Sequence, residues 1–433
     1  MGCRIFLLIS ALLFCMGPAS SQALLTPEEA IDIALNNSFG VLVARNNADI
    51  ARINNTIGAA GMLPNINANA NGNFSQSNVE LELSNNSIIQ SSQGQTKSRG
   101  ANVALSWVLF DGGRMFITKN KLNQIEALGE IHFKDTLQQT IYNVIASYYN
   151  IVGQKQQLAS INEAINYNKE QVAILQASFN AGLGAKTSFL QAKIDLNVYQ
   201  EAAINQMYQI VVAKRSLNQL LVRSPEIEFE VVDSIVNDYV PNKDSLFQKL
   251  YTSNINILAA QRQLEIARLS MREYKAARYP RINLTSGYNL NLVDNTASNV
   301  LYNHSYGPAI GATLSVPIFQ AGTINRQVST SKIQLLTAGY NFDNIKLRVN
   351  TQLQNALTQF ENQQQLLNIE KENETLAKEN IEIAIQRLRL GQANSLEVRQ
   401  AQESYVFSYT RRITFEYNLK IAETRLKQLV SGL

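Results

Sequence analysis

Four stretches of the chain alternate apolar and polar residues with period two. Asn65, Asn67, Asn69, Asn71 and Asn73 interleave with Ile66, Ala68, Ala70, Gly72 and Phe74. Ala101, Val103, Leu105, Trp107 and Leu109 form one face of the next stretch. Ile282, Leu284, Tyr288, Leu290 and Leu292 alternate with Asn283, Thr285, Asn289 and Asn291, and Ile310, Ala312, Leu314, Val316 and Ile318 with Gly311, Thr313 and Ser315. This pattern predicts half-buried strands. Their length suits tilted membrane strands better than a soluble sheet. The polar stretches 78–98 and 294–305 read as outward-facing loops. Four strands cannot close a barrel, and unpaired strand edges cannot face lipid. Further copies must supply closure; two chains give eight strands and three give twelve, and the pattern does not choose.

The remaining chain follows a helical period. Leu137, Val144, Ile151, Leu158, Ile165, Val172 and Phe179 recur every seven residues within a segment that runs from Arg114 to Asn180 without proline. That predicts one helix of about 100 Å with a coiled-coil seam. Leu353, Phe360, Leu367, Ile381 and Leu388 repeat the seam, with Glu374 off the pattern. Flanking helices over 26–62 and 187–221 are long enough together to cover it. Thr26, Pro27 and Glu29 read as a capping box opening the first, whose counterpart runs from about Asp244 to Tyr279.

The chain is internally duplicated. Leu109-Phe-Asp-Gly-Gly113 and Ile318-Phe-Gln-Ala-Gly322, Gly182 and Gly391, and Ala192 and Ala401 all stand 209 residues apart. Pro64 and Pro280 are 216 apart, so the segment between proline and phenylalanine differs by seven residues, a difference that exposed loops absorb most easily. The expected division is a first repeat over 22–221, a linker over 222–243 and a second repeat over 244–433. In the linker, Glu226, Glu228 and Glu230 alternate with Ile227, Phe229 and Val231 between Pro225 and Pro241. It reads either as a short strand or collar at the equator, or as a plain connection.

Composition narrows the classes. Of 433 residues, 45% are hydrophobic and 17% charged, with a formal net charge of +4 and no basic block, so nucleic acid is not an expected partner. Arg4, the apolar run Ile5–Met16 and the small residues that follow read as a secretory signal over 1–21. Cys3 and Cys15 both lie within it, so the mature chain carries no thiol; Phe14 argues against lipidation at Cys15. His132 and His304 lack metal-ligand spacing, and Gly182-Leu-Gly-Ala-Lys-Thr187 lacks the order of a phosphate loop. No enzymatic motif appears, and no cofactor or metal is expected.

Together the opening Leu25-Thr-Pro-Glu-Glu-Ala-Ile-Asp-Ile-Ala-Leu35, the Leu-Phe-Asp-Gly-Gly junction at 109–113, and the turn at 179–192 with its copy around Gly391 resemble the TolC-like outer-membrane efflux protein family over nearly the whole mature chain. The resemblance implies an α+β membrane protein: a homotrimer whose twelve-stranded transmembrane β-barrel continues into a coiled-coil α-helical barrel in the periplasm. It implies an exit duct that docks on a periplasmic adaptor and an inner-membrane pump of RND or ABC type and passes solutes passively. The competing class is a coiled-coil stalk or adhesin of the envelope without a channel.

Site expectations follow from that resemblance. The inter-helix turns, with Ala181, Gly182, Leu183, Gly184, Leu390, Gly391 and Ala393, would be adaptor-docking tips, while the glycines also serve as ordinary helix stops. Glu397 would line a tunnel constriction as a three-carboxylate ring, or complete a capping box begun by Asn394; Gln400 stands where a second acidic ring would be. Ser188 and Gln191 suggest the same box in the first repeat. Leu388 and Ala393 stand where polar locks would be expected, so closure would rest on packing or on the partner. Pro64, Gly112, Gly113, Pro280 and Gly322 would form the barrel-to-helix junctions, and Trp107 and Tyr288 would be membrane-interface aromatics.

Overall fold

A computed structural model describes residues 24–296 and 300–433; the signal segment expected over 1–21 lies outside them. Twelve elements follow one another: α1 (Pro27–Asn37), α2 (Phe39–Asn54), β1 (Asn65–Glu82), β2 (Ile88–Phe110), α3 (Arg114–Asn180), α4 (Lys186–Leu220), α5 (Lys243–Ser253), α6 (Ile255–Ala276), β3 (Arg281–Asn295), β4 (Tyr302–Ser315), α7 (Thr323–Arg389) and α8 (Ser395–Leu429). The second six repeat the order of the first six. The contacts nevertheless divide the chain across the repeats. One unit holds residues up to 46, 132–258 and 346–433, and the other holds 47–131 and 259–345.

In the second of these units the strands form one antiparallel sheet in the order β1-β2-β3-β4. The expected loop 78–98 is mostly strand: β1 and β2 run 18 and 23 residues and turn only at 83–87. β3 and β4 run 15 and 14. The seven extra residues of the first repeat therefore lengthen a hairpin, whose backbone hydrogen bonds hold paired the residues that a loop would leave to water.

The first helix also differs from expectation. It breaks at Ser38 and stops at Asn54, short of Met62. Asn55 there donates its side-chain amide to Asn123 of α3, and its backbone carbonyl, which a continuing helix would use for its own bond, accepts from Lys119 at 3.0 Å. The counterpart breaks at Asn254, whose amide nitrogen donates to the Leu429 carbonyl at 2.8 Å while its oxygen accepts from Ile257 N–H. Both breaks follow an 11-residue helix. Thr26 and Glu29 do form the reciprocal box expected at the start of α1.

In the helical unit the expected seam is buried in part: Leu137, Leu158 and Val172 are only half-buried, and Phe179 at the end of α3 is exposed. Val144, Ile151, Ile165, Leu353, Phe360, Leu367, Ile381 and Leu388 are all buried. Glu374 interrupts the pattern because it ion-pairs with Arg412 of α8. The linker is packed rather than merely connecting. Phe229, Val231 and Ile235 join Val144, Tyr148, Ile151, Leu217 and Leu221 in one core. It holds no extended strand, only a parallel bridge between Leu24 and Glu230.

Candidate functional site

Residues opposite each other in an antiparallel pair share a face. On one face Asn69, Asn102, Asn289 and Gly307 stand in line, as do Asn71, Gly100, Asn291 and Ser305. Asn69 donates to Asn102 at 3.1 Å. The other face sets Ala68, Val103, Tyr288 and Pro308 in line, and Ile66, Leu105, Ser286 and Ile310 beside them. This apolar face is bare within the chain: Ile66, Tyr288, Tyr306, Ile310 and Leu314 are all exposed. On β3 it reaches from Ile282 to Leu292. A strand of that reach tilted by about 40° rises roughly 26 Å, the height of an outer-membrane apolar band. Lys97, Arg99, Asp294 and His304 follow at its far end, where Arg99 and Asp294 ion-pair.

Tyr288 stands in the middle of this band, while Trp107 stands near its helix-side end. The Trp107 indole donates to the Met62 carbonyl at 2.9 Å. Tyr302 and Tyr306, at the far end of the same face, were missed by the sequence reading because no clean alternation precedes Pro308 in β4.

Glycines turn the strands into the helices. Gly112, Gly113 and Gly322 have φ of +74°, +79° and +73°, conformations that cost a side chain little only when there is none. Pro64 and Pro280 each stand immediately before a strand.

In the helical unit, each long helix stops just before a glycine of positive φ that opens the turn, Gly182 at +75° and Gly391 at +73°. Leu183 N–H returns to the Ser178 carbonyl at 2.9 Å, and Gln392 N–H to Arg387 at 2.8 Å, the bonding of a glycine-terminated helix. Leu183 and Leu390 are 86% and 71% exposed, and Ala181 is exposed beside them. Leu388 and Ala393 instead pack with Ile381, Ile385, Val398 and Tyr405. The expected box at Ser188 is absent: α4 starts at Lys186 after an uncapped Ala185, and Gln191 bonds Asp195. Asn394 does cap α8, accepting from Leu396 and Glu397 N–H at 2.9 Å. The Glu397 carboxylate turns to Arg387, 3.4 Å away, and Gln400 is exposed. A cavity of ≈ 280 Å³ lies beside this turn, lined by Gln171, Gln191, Asp195, Ser395 and Arg399. Gln171 is 1% exposed, and its Oε1 has no hydrogen-bond partner.

Charged groups buried between helices escaped the sequence reading, since single Glu and Arg residues at helical spacing resemble a solvated face. Arg412 lies between Glu374 and Glu416. Burial raises the Glu374 carboxyl above its ordinary value despite Arg412. Tyr405 donates to Glu163, and burial together with that carboxylate pushes its hydroxyl up. At the surface, by contrast, Glu170 ion-pairs with Arg389. Glu230 of the linker accepts from Lys155 at 2.9 Å and Lys214 at 2.8 Å. Its burial would raise the carboxyl, but the two lysines outweigh that and hold it below its ordinary value.

The described residues hold no group of His, Cys, Asp and Glu fit to bind a metal ion, and no helix among them is long and apolar enough to cross a membrane. Residues 30–222 and 246–432 match the family described as outer membrane efflux protein. The outer membrane efflux protein BepC of Brucella suis biovar 1 (strain 1330) is 23% identical over 330 residues, 75% of this chain and 70% of that protein. The proteases secretion protein PrtF of Dickeya chrysanthemi is 19% identical over 404 residues, 92% of this chain and 85% of that one. The crystal structure of the outer membrane protein VceC from Vibrio cholerae superposes with a TM-score of 0.77 at 16% identity, covering 94% of this chain and 96% of that one.

Proposed function

This chain belongs to the outer membrane efflux protein family and serves as an outer-membrane exit duct, and from that premise we propose that three copies close its sheet into one twelve-stranded barrel. The observation that carries the reading is the two-faced sheet with open edges at β1 and β4. In a closed barrel the apolar face meets lipid, the asparagine face lines the lumen, and β4 of one copy pairs with β1 of the next, leaving no backbone group unpaired in hydrocarbon. Tyr302 and Tyr306 sit at the outer headgroup level and Trp107 at the inner one, with Tyr288 facing acyl chains.

The exposed turns carrying Ala181, Gly182, Leu183, Gly184, Leu390, Gly391 and Ala393 dock a periplasmic adaptor. That adaptor links the duct to an inner-membrane pump of the RND or ABC type. The roles of the relatives, efflux for BepC and protease secretion for PrtF, agree with either type. The cavity beside Gln171, with an amide oxygen left over, suits a polar side chain of a docked helix. Glu397 and Gln400 face the narrow end of the tunnel. Because Arg387 accompanies each Glu397, the carboxylate ring is partly neutralised and cation preference is weak.

Cysteines placed along β1 and β4 test the barrel. Oxidation in outer-membrane fractions is expected to give dimers and trimers linked in one register, with ion conductance in planar bilayers. A purified mature chain that stays monomeric and detergent-independent would overturn it. Photo-crosslinkers at Ala181 and Leu390 test the docking, with capture of a periplasmic adaptor expected.

A further inference from the structure

The polar face of the sheet is almost free of charge. Over 65–77, 94–108, 281–295 and 302–315, its positions are Asn, Ser, Thr, Gly, Ala and Val, and Arg281 is the one charged residue among them. Lys97, Arg99, Asp294 and His304 all belong to the opposite face.

Arg281 borders a cavity of ≈ 510 Å³ where the strands give way to the helices. Val108 and Ser315, which share the polar face with Arg281, line it too, so the cavity opens on that face. A second guanidinium, Arg114, lines the same cavity from the first position of α3. Asp111 is the one carboxylate in the lining, and its Oδ1 already accepts from Met115 N–H at 3.1 Å. Arg281 spends its Nε on Asn283 at 3.0 Å, which leaves the rest of its donor fork for other acceptors.

We propose that this cavity is an anion-binding way station in the duct, where Arg114 and Arg281 hold the carboxylate, sulfonate or phosphate of a passing solute. The inference deepens the duct reading and rests on it, since only a barrel with the polar face inward exposes the cavity to cargo. Two guanidinium forks against one engaged carboxylate leave a net positive site, and the start of α3 adds its dipole in the same sense. The surrounding wall holds no competing charge, so the field there is undiluted along the strands. Closure by three copies would give three such sites at one level.

Binding of inorganic pyrophosphate to the purified full chain in detergent, at low salt, tests the proposal by calorimetry. The wild type is expected to bind, and Arg114→Gln with Arg281→Gln to weaken binding by about tenfold or more. Arg281→Lys, which keeps the charge, should stay within about threefold of wild type, and Asp111→Asn should tighten binding about threefold. Arg99→Gln, on the other face, should change nothing. A wild type that takes up no pyrophosphate, or a double glutamine variant that binds as well as wild type, overturns the proposal. Conductance of the same preparations reads the duct separately. Binding without conductance would sink the duct and leave the site, and conductance without binding would do the reverse.

Discussion

Gly112 and its counterpart Ala321 stand at equivalent places in the two strand-to-helix junctions, and both have positive φ, +74° and +48°. An alanine therefore survives that backbone in one repeat. At Gly112 a Cβ would meet the Ala276 carbonyl oxygen at 2.5 Å and the Tyr279 Cβ at 2.6 Å, whereas at Gly113 it would meet nothing within 4 Å. Gly113→Ala should thus cost only the backbone strain, about 1 kcal/mol, and Gly112→Ala roughly 2 kcal/mol more because backbone has to move. Urea unfolding of the two variants in detergent checks the order, and an equal loss would refute the steric account. Both glycines were legible in the sequence as junction residues. The contact that separates them was not, since Tyr279 approaches only when β2 and β3 pair.

Among the elements, the long helices carry the clearest test. Glu374 breaks the seven-residue seam and is held by Arg412, which also reaches Glu416 at 2.8 Å. Arg412→Leu strands two carboxylates in a half-buried site and should cost about 3–5 kcal/mol. Adding Glu374→Leu restores the apolar seam but leaves Glu416 unpaired, so the double variant should recover only about half of that loss in a double-mutant cycle. A double variant no better than Arg412→Leu would refute this. The linker offers a pH test. Its Glu230 carboxyl titrates below the ordinary 4.5, so the folded form favours the charged state. The stability it adds is present above about pH 4.5 and is lost as pH falls through the depressed value. Hydrogen exchange at Leu25 N–H, which donates to the Glu230 carbonyl at 2.8 Å, should quicken over that acid window. Glu230→Gln should remove the pH dependence.

For the whole molecule, the two faces of β4 predict opposite outcomes for one substitution. Ile310 is 80% exposed on the apolar face, and Thr313 lies on the polar one. Lysine at 310 would face hydrocarbon at a cost of about 2–4 kcal/mol, while lysine at 313 would face water. Ile310→Lys should reduce the yield of heat-resistant trimers in outer-membrane fractions, and Thr313→Lys should not. Equal yields would mean that the apolar face does not meet lipid. Should the polar face instead prove intolerant, the faces would have been assigned the wrong way round.

Period two at 65–74 and 282–292, period seven from Leu137 to Phe179, and glycines spaced 209 residues apart were enough to settle element types, order and the duplication. These are local signals, because a residue's face follows from its place in the repeat. Tertiary structure alone decided the lengthened β1–β2 hairpin, the breaks at Ser38 and Asn254, the Arg412 cluster and the cavity beside Arg281. The Asn254 break, the Arg412 cluster and the cavity depend on groups far apart in the chain meeting, as when the Asn254 amide finds the Leu429 carbonyl. No periodicity encodes such a meeting, since it is fixed only when the elements pack.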